Sequence, residues 1–391
     1  MELILAFSII AGQLAKLPVN GLAGPVLLDL TITAFVILAA FKSIFARKGL
    51  AGLTTAFKFA LIFALLGLIS NILTPLNLNL SEKITSLSYL LRFFIYILFS
   101  WILISGFFPA LVKKTASIMW LSGITLAGIG LAQFVFLPDL RLLIKQGWDP
   151  HYFRAVSTFL DPNFFGAALV LTLIFFITQV SNAKSSKVSF TLVFAALLLT
   201  FSRGAYLAFA ASFLFLAVVQ RSARLLMLTL LLSAMLLSGF VIYQRIVAQP
   251  HEINRTESAK NRISSWQQGL AVFAKNPLLG VGFNNYRFAL RDYGLADNEL
   301  LSSRGSSSND SSLLYVAATT GVLGLASYSA FLISLFLSSL RAGQRGNPWG
   351  ITLTASLVAL ISQSFFANTL FYPFLLIWIL LLVPQLFNTS R

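Results

Sequence analysis

The chain has 391 residues, of which 58% are hydrophobic and 10% charged, with a mean hydropathy of +0.85. Soluble domains carry about 25% charged residues, so this composition excludes a water-soluble fold and calls for burial in lipid. The formal charge of +16 is scattered over short connections instead of forming one stripe, which argues against nucleic acid, and the lack of cysteine excludes disulfides and thiolate chemistry.

Met1-Glu2 leads straight into apolar sequence without a basic leader region, so the stretch centred near residue 10 reads as a first span. Apolar runs of helical length then recur near residues 34, 64, 97, 125, 171, 195, 211, 234, 326, 358 and 379, which makes twelve. The runs are continuously apolar, whereas membrane barrel strands alternate. The expected class is therefore an all-α polytopic membrane protein with about 12 transmembrane helices, in a single transmembrane domain over residues 1–391. Asp29, early in the second span, is the one acid inside an apolar run, placed to pair with an arginine or cap a helix.

Connections after the even-numbered spans carry Lys42, Arg47, Lys48, Lys58, Lys113, Lys114, Lys184, Lys187, Arg221, Arg224, Arg341 and Arg345, and no acid. The positive-inside rule makes these cytoplasmic, together with both termini, in a cytoplasmic (inner) membrane. Opposing connections hold most of the acids, including Asp139, Asp149, Asp161, Glu299 and Asp310. Two long polar segments then lie outside the cytoplasm: residues 138–161, and the large extracytoplasmic loop 245–310.

Between Val188 and Val219 the sole charge is Arg203. One helix of this length would measure about 48 Å, well beyond a hydrocarbon core of about 30 Å. The run must fold back, and Ser202-Arg203-Gly204 is the polar, flexible break. Arg203 is then expected at the extracytoplasmic mouth of the bundle, either snorkelling to lipid or lining an anion site. Arg154 and the arginines of the large loop, Arg255 and Arg262, fall on the same side, and converging guanidiniums suit a diphosphate that they grip bidentately.

Within the large loop, "NRISSWQQGLAVFAKNP" places Ile263, Trp266, Leu270 and Phe273 on one helical face, ended by Asn276-Pro277. Such a helix would lie near the membrane surface and hold Arg255, Lys260 and Arg262 over a cavity. Gly280-Val281-Gly282 lacks the lysine of a nucleotide loop and reads as a tight turn, and Ser302–Ser308 is a serine-rich patch. His151 and His251, the two histidines, lie in loops with no ligand partner at metal-site spacing, so neither metal nor cofactor is expected. Asp161-Pro162 has the form of a helix N-cap followed by proline, and Asp310, ahead of "SSLLYVAATTGVLGL", is either a cap or a base.

Four segments, "RAVSTFLDPNFFGAALV", "LLLTFSRGAYLAF", "NPLLGVGFNNY" and "DSSLLYVAATTGVLGL", together resemble the O-antigen ligase and O-antigen polymerase family of membrane glycosyltransferases. "SQSFFANTLFYP" is similar to that family's last loop. The resemblance is closest over residues 195–330. It implies a bundle of the GT-C class and transfer of a glycan from an undecaprenyl diphosphate carrier to an acceptor, without a metal. Ligases of this group carry a His-Asn pair upstream of two glycines. Registered on Gly321 and Gly324, those positions hold Asp310 and Ser311, a departure that replaces an imidazole base by a carboxylate.

The expected function is thus an inverting, metal-independent transferase, polymerase or ligase. Asp310 would be the base, and Arg203, with Arg154, Arg255 and Arg262, would steady the diphosphate. A transporter or flippase of lipid-linked glycans is the alternative. Transporters favour midplane charges and repeated halves, whereas here charge gathers at one face and no repeat is evident. A third reading is a noncatalytic assembly partner that docks through its long loop.

Overall fold

The computed structural model describes residues 1–17, 24–46, 49–146, 148, 149, 151–180, 184–249 and 255–387. Its helices are α1 (Glu2–Ala11), α2 (Leu27–Ala46), α3 (Thr55–Ile72), α4 (Leu80–Ile104), α5 (Pro109–Lys113), α6 (Thr115–Phe136), α7 (Pro162–Gln179) and α8 (Lys184–Thr200). They continue as α9 (Arg203–Val219), α10 (Ala223–Tyr243), α11 (Arg255–Lys275), α12 (Tyr286–Asp292), α13 (Asn298–Ser302), α14 (Ser312–Gln344), α15 (Pro348–Gln363) and α16 (Pro373–Leu382). No strand forms among the described residues, where Lys16–Val26 and Asp139–Tyr152 make isolated bridges.

A helix lies at each of the twelve span centres read from hydropathy, but among the described residues seven segments, not twelve, have the length and apolarity to cross a membrane alone. Four more apolar helices are shorter, among them the pair α8 and α9, whose break at Ser202 is the one expected from Arg203. At 17 residues apiece each rises about 26 Å, somewhat less than the bilayer core. The protein is a multi-pass helical membrane bundle.

Local chemistry sets the helix ends. Asn79 and Glu82 exchange side-chain and backbone bonds in a capping box at α4, and Asp161 caps α7 with Pro162 in the first turn. Asp29 does both things open to it: it accepts from Val26 N at 2.9 Å and pairs with Arg92 at 2.7 Å and Tyr96 at 2.9 Å. Helix α16 is apolar on every side and buried throughout, as expected of an element at the centre of a bundle. It packs against α4, α7 and α15, while α15 is enclosed by α7, α9 and α14.

The most irregular element is α14, which is broken at Gly321 (φ 66°, ψ −169°). Residues 277–282 fill the break, Val281 N bonding Ala318 O at 3.1 Å, Gly282 N bonding Thr319 O at 2.9 Å, and Val322 N bonding Pro277 O at 2.8 Å. Ser70 adds a hydroxyl to Thr319 O at 2.9 Å. Non-helical backbone in a membrane protein survives only where protein satisfies its polar groups, and here a second backbone does so. The two chains approach so closely that a Cβ on Gly280 would lie 2.4 Å from the Thr319 carbonyl carbon, and one on Gly321 would lie 2.1 Å from Leu278 O.

This packing generates a test by contrast. Gly294 also has positive φ (63°) but open space around it, so Gly294→Ala should cost about 1 kcal/mol. Gly321→Ala adds a backbone collision to its strain and should cost at least about 3 kcal/mol. Thermal unfolding of the purified protein reads both, and equal losses would refute the collision.

Candidate functional site

The turn between α8 and α9 is built by backbone pairing with residues 154–155. Ala155 N donates to Leu199 O at 2.8 Å. The buried Arg154 guanidinium donates to Thr200 O at 2.9 Å and to Phe201 O at 3.4 Å. Phe201 takes positive φ (48°) and stacks on Tyr243 at 4.2 Å. Ser202 then caps α9 and donates to Asn163 Oδ1 at 2.8 Å, while Gln363 donates to Asn163 O at 2.7 Å. The result leaves Arg203 as the first residue of α9, exposed, at the wall of a large cavity. Arg154 also borders that cavity, but its guanidinium donates to carbonyls of the turn, so its part differs from the expected diphosphate contact.

Asp310 stands just ahead of α14. The cap reading for it fails, because Ser311 is the N-cap and its hydroxyl accepts from Leu314 N at 3.4 Å. Asp310 is held through its backbone instead, N–H to Ser265 Oγ at 3.0 Å. Beside it the fully buried Asn309 accepts from Ser311 N at 2.9 Å and donates to Tyr286 Oη at 2.9 Å and to Ser265 O. Among the described residues no hydrogen bond engages the Asp310 carboxylate, which borders the cavity.

Helix α11 forms where its periodicity places it and ends before Asn276, and its apolar face divides between contact with the bundle and exposure. Ile263 and Leu270 are exposed, whereas Gly269 and Val272 are buried and Ser265 and Trp266 are half-buried. The reason is steric: Gly269 lets the helix approach Asn309, whose Nδ2 would lie 2.7 Å from an added Cβ. That rotation turns Arg262 into the cavity. Lys260 is exposed and not on the cavity wall. Arg255 begins α11, but its side chain, like all of His251, lies outside what the structure describes.

The cavity measures about 1000 Å³, at the upper end for small-molecule sites. Its floor is aromatic. Phe371 lies 4.9 Å from Tyr328 and 5.7 Å from both Phe283 and Tyr315, and Phe63 reaches Tyr328 at 4.9 Å and Phe93 at 5.3 Å. This packed layer closes the polar chamber against the apolar bundle below.

Arg203, Arg262, Asp310, Asp161 and Asp149 share one part of the wall. Arg262 is the charge that bears on Arg203 and the leading charge that bears on Asp310, with Asp149 and Asp161 acting on Asp310 in the opposite sense. Burial raises the Asp161 carboxyl, offset by the N–H groups of Asn163 and Phe164 at 2.6 and 3.2 Å. Asp149 is open to cavity solvent yet hemmed in by protein, and burial together with Asp161 pushes its carboxyl up to about 6.

Sequence spacing kept His151 apart from any carboxylate pair. Folding buries it and brings one ligand atom each from Asp149, His151 and Asp161 within 4.8 Å of one another. The three could hold a cation, though one Asp161 oxygen is already bonded to helix N–H groups.

A second part of the wall was not legible in the sequence. Lys16, after α1, Arg92 on α4, Arg287 on α12 and Arg304 beyond α13 all line the same cavity. The cavity takes them from segments up to 288 residues apart (304 − 16), so no local pattern could join them.

Residues 188–329 match the family described as O-antigen ligase. Arg203, Arg262 and Asp310 all fall inside the matched segment. No curated protein sequence matches the chain.

Two predictions separate the roles of these groups. Arg154→Ala leaves two buried carbonyls short of a donor and should lower stability by about 2–5 kcal/mol, whereas Arg203→Ala should leave the thermal midpoint nearly unchanged. Equal midpoints would remove Arg154 from the turn. For Asp149, the ordinary carboxyl value of 3.8 rises to about 6 on folding, so the folded chain binds this proton more tightly. Its contribution is full below about 4 and lost as pH rises through about 6. Asp149→Asn should therefore raise the thermal midpoint at pH 8 relative to the parent protein, with little gain at pH 4. Equal midpoints at pH 8 would place Asp149 in open solvent.

Proposed function

Taking the O-antigen ligase family segment as premise, we propose that the protein is an inverting, metal-independent glycosyltransferase of the O-antigen ligase or polymerase type. It acts at the outer face of the cytoplasmic membrane, where it moves a glycan from an undecaprenyl diphosphate carrier to an acceptor hydroxyl. The observation that carries this reading is the opening of Asp310, Arg262 and Arg203 into one cavity of about 1000 Å³.

In the reaction the acceptor oxygen attacks the anomeric carbon of the donor. A C–O bond to the acceptor forms, the C–O bond to the diphosphate breaks, and the acceptor proton passes to the Asp310 carboxylate. The bonding pair leaves with the undecaprenyl diphosphate, already stable as an anion, so no general acid is required. Arg203 and Arg262 stabilise the added negative charge as it develops. Arg154 contributes by fixing the turn that aims Arg203. Asp310 suits the role of base because Ser311 does the capping and Ser265 fixes the backbone, which leaves the carboxylate to the cavity. The apolar exterior of the bundle suits the polyprenyl tail, and the gathering of charge in one chamber suits a transferase better than a transporter.

Purified protein supplied with undecaprenyl-diphosphate glycan and an acceptor sugar, without nucleotide, should form a glycosylated product. Arg203→Ala and Asp310→Asn should each lower the rate by at least about 100-fold while the thermal midpoint holds. Full activity in either variant would remove that residue from the mechanism. Movement of donor across vesicles without product would support a flippase instead.

A further inference from the structure

The loop between α15 and α16, residues 364–372, has no part in the reaction as written above, yet Phe366, Asn368, Phe371 and Tyr372 bring it along the cavity wall. No charged residue occurs from Gly346 to Ser390, so this stretch of wall is neutral where other segments bring arginines and carboxylates. A diphosphate finds no charge to pair with here. An uncharged ring meets aromatic faces and one amide.

The loop is pinned close to the proposed reacting groups. Ser312, two residues beyond Asp310, donates its hydroxyl to Ala367 O at 3.4 Å and accepts from Leu370 N at 3.3 Å, and its own N–H donates to Ser364 O at 2.8 Å. Phe366 packs against Trp266 on α11 with ring centres 6.3 Å apart. Its Cβ also lies 3.5 Å from where a Cβ would stand on Gly204, the residue after Arg203. At the far end Tyr372 stacks on Phe164, the ring centres 4.0 Å apart and the planes 3° from parallel.

Between these anchors stands Asn368. It borders the cavity, yet its Oδ1 is buried and has no hydrogen-bond partner among the described residues. Helix capping does not account for it either, since the short helical turn that Asn368 precedes receives no side-chain bond from it. Buried amide oxygens in folded proteins are nearly always paired, so an orphan one at a cavity wall marks a place where a bound molecule supplies the donor. In pockets lined by aromatic groups, single polar groups of this kind fix the orientation of the ligand. A pyranose fits the combination, because its C–H face lies on aromatic rings and its hydroxyls donate to an amide oxygen.

We propose that Asn368 is a specificity-determining residue: its amide reads one hydroxyl of a neutral sugar ring that lies against the aromatic side chains of this loop. The proposal rests on the transferase reading and adds the group that selects the sugar. Two sources share this chemistry, the donor sugar at the carrier end of the glycan and the terminal sugar of the acceptor.

The test crosses substrates with variants. Donor and acceptor are each prepared with the sugar intact and with its hydroxyls replaced one at a time by hydrogen, except the hydroxyl that reacts. In the parent protein one deoxy substrate should lose at least about tenfold in kcat/KM, because the amide is then left unpaired. In Asn368→Ala the gap between that deoxy substrate and the intact one should shrink below twofold, and whether the sensitive position lies on donor or acceptor identifies the source. The thermal midpoint of Asn368→Ala should equal or exceed that of the parent, since no bond within the protein is lost. Discrimination that persists in the variant, a deoxy series in which no position reaches tenfold, or a lowered midpoint would overturn the assignment.

Binding keeps this idea apart from the reaction. Methyl glycosides of the same two sugars, which lack a diphosphate leaving group, are titrated into the purified parent and Asn368→Ala proteins. At least one should bind the parent tenfold more tightly or better. Such binding without transfer to any acceptor would sink the transferase reading and leave the sugar site standing. Transfer accompanied by equal or absent binding in the two proteins would sink the sugar site and leave the transferase.

Discussion

Backbone carbonyls and amides freed at a break in an apolar bundle must find partners, because lipid offers none. Two such breaks govern this molecule. At the α8–α9 turn the carbonyls of Leu199, Thr200 and Phe201 receive the Ala155 amide and the Arg154 guanidinium. At the kink of α14, residues 277–282 and Ser70 supply the missing bonds. The first break presents Arg203. The second orients the helix whose start carries Asp310, and Ser312 N ties that start to Ser364 O at 2.8 Å, beside the Gln363 that bonds Asn163. The two repairs are therefore linked through the end of α15.

The same bonds divide the charged groups of the chamber by purpose. A guanidinium that donates to backbone carbonyls, as in Arg154, is part of the scaffold. A carboxylate bonded to helix N–H groups, as in Asp161, is largely spent in the same way. Among the groups that line the cavity are Arg203 and Arg262 beside Asp310, Asp149, and the separate cations Lys16, Arg92, Arg287 and Arg304. An aromatic floor keeps that polar set from the lipid-facing interior, so charge interactions inside the chamber stay stronger than they would be in bulk water.

Much of the helical layout was legible because hydropathy and length act locally. The break at Ser202 followed from a run too long for one helix, and the Asp161 cap followed from Asp-Pro at the start of a run. Helix α11 shows where such reasoning stops. Its extent was readable, but its buried face was not, since a large apolar residue has no claim on a contact that only Gly269 can make with Asn309. The Asp310 and Ser311 pair was likewise ambiguous, because either side chain can cap a helix and geometry assigned the task to Ser311.

What the sequence determined by itself was the solvent the protein lives in, the positions of its apolar helices, the need for a reversal at Arg203 and the family resemblance of its motifs. These are properties of composition and of short stretches, set by transfer energies and backbone length. Only the tertiary structure decided which cations face one chamber, that Arg154 braces a turn, that His151 sits with Asp149 and Asp161, and that Lys16 and Arg304 line the same cavity. The reason is physical: a charge cluster depends on distances across the bundle, and those arise from packing between segments far apart in the chain.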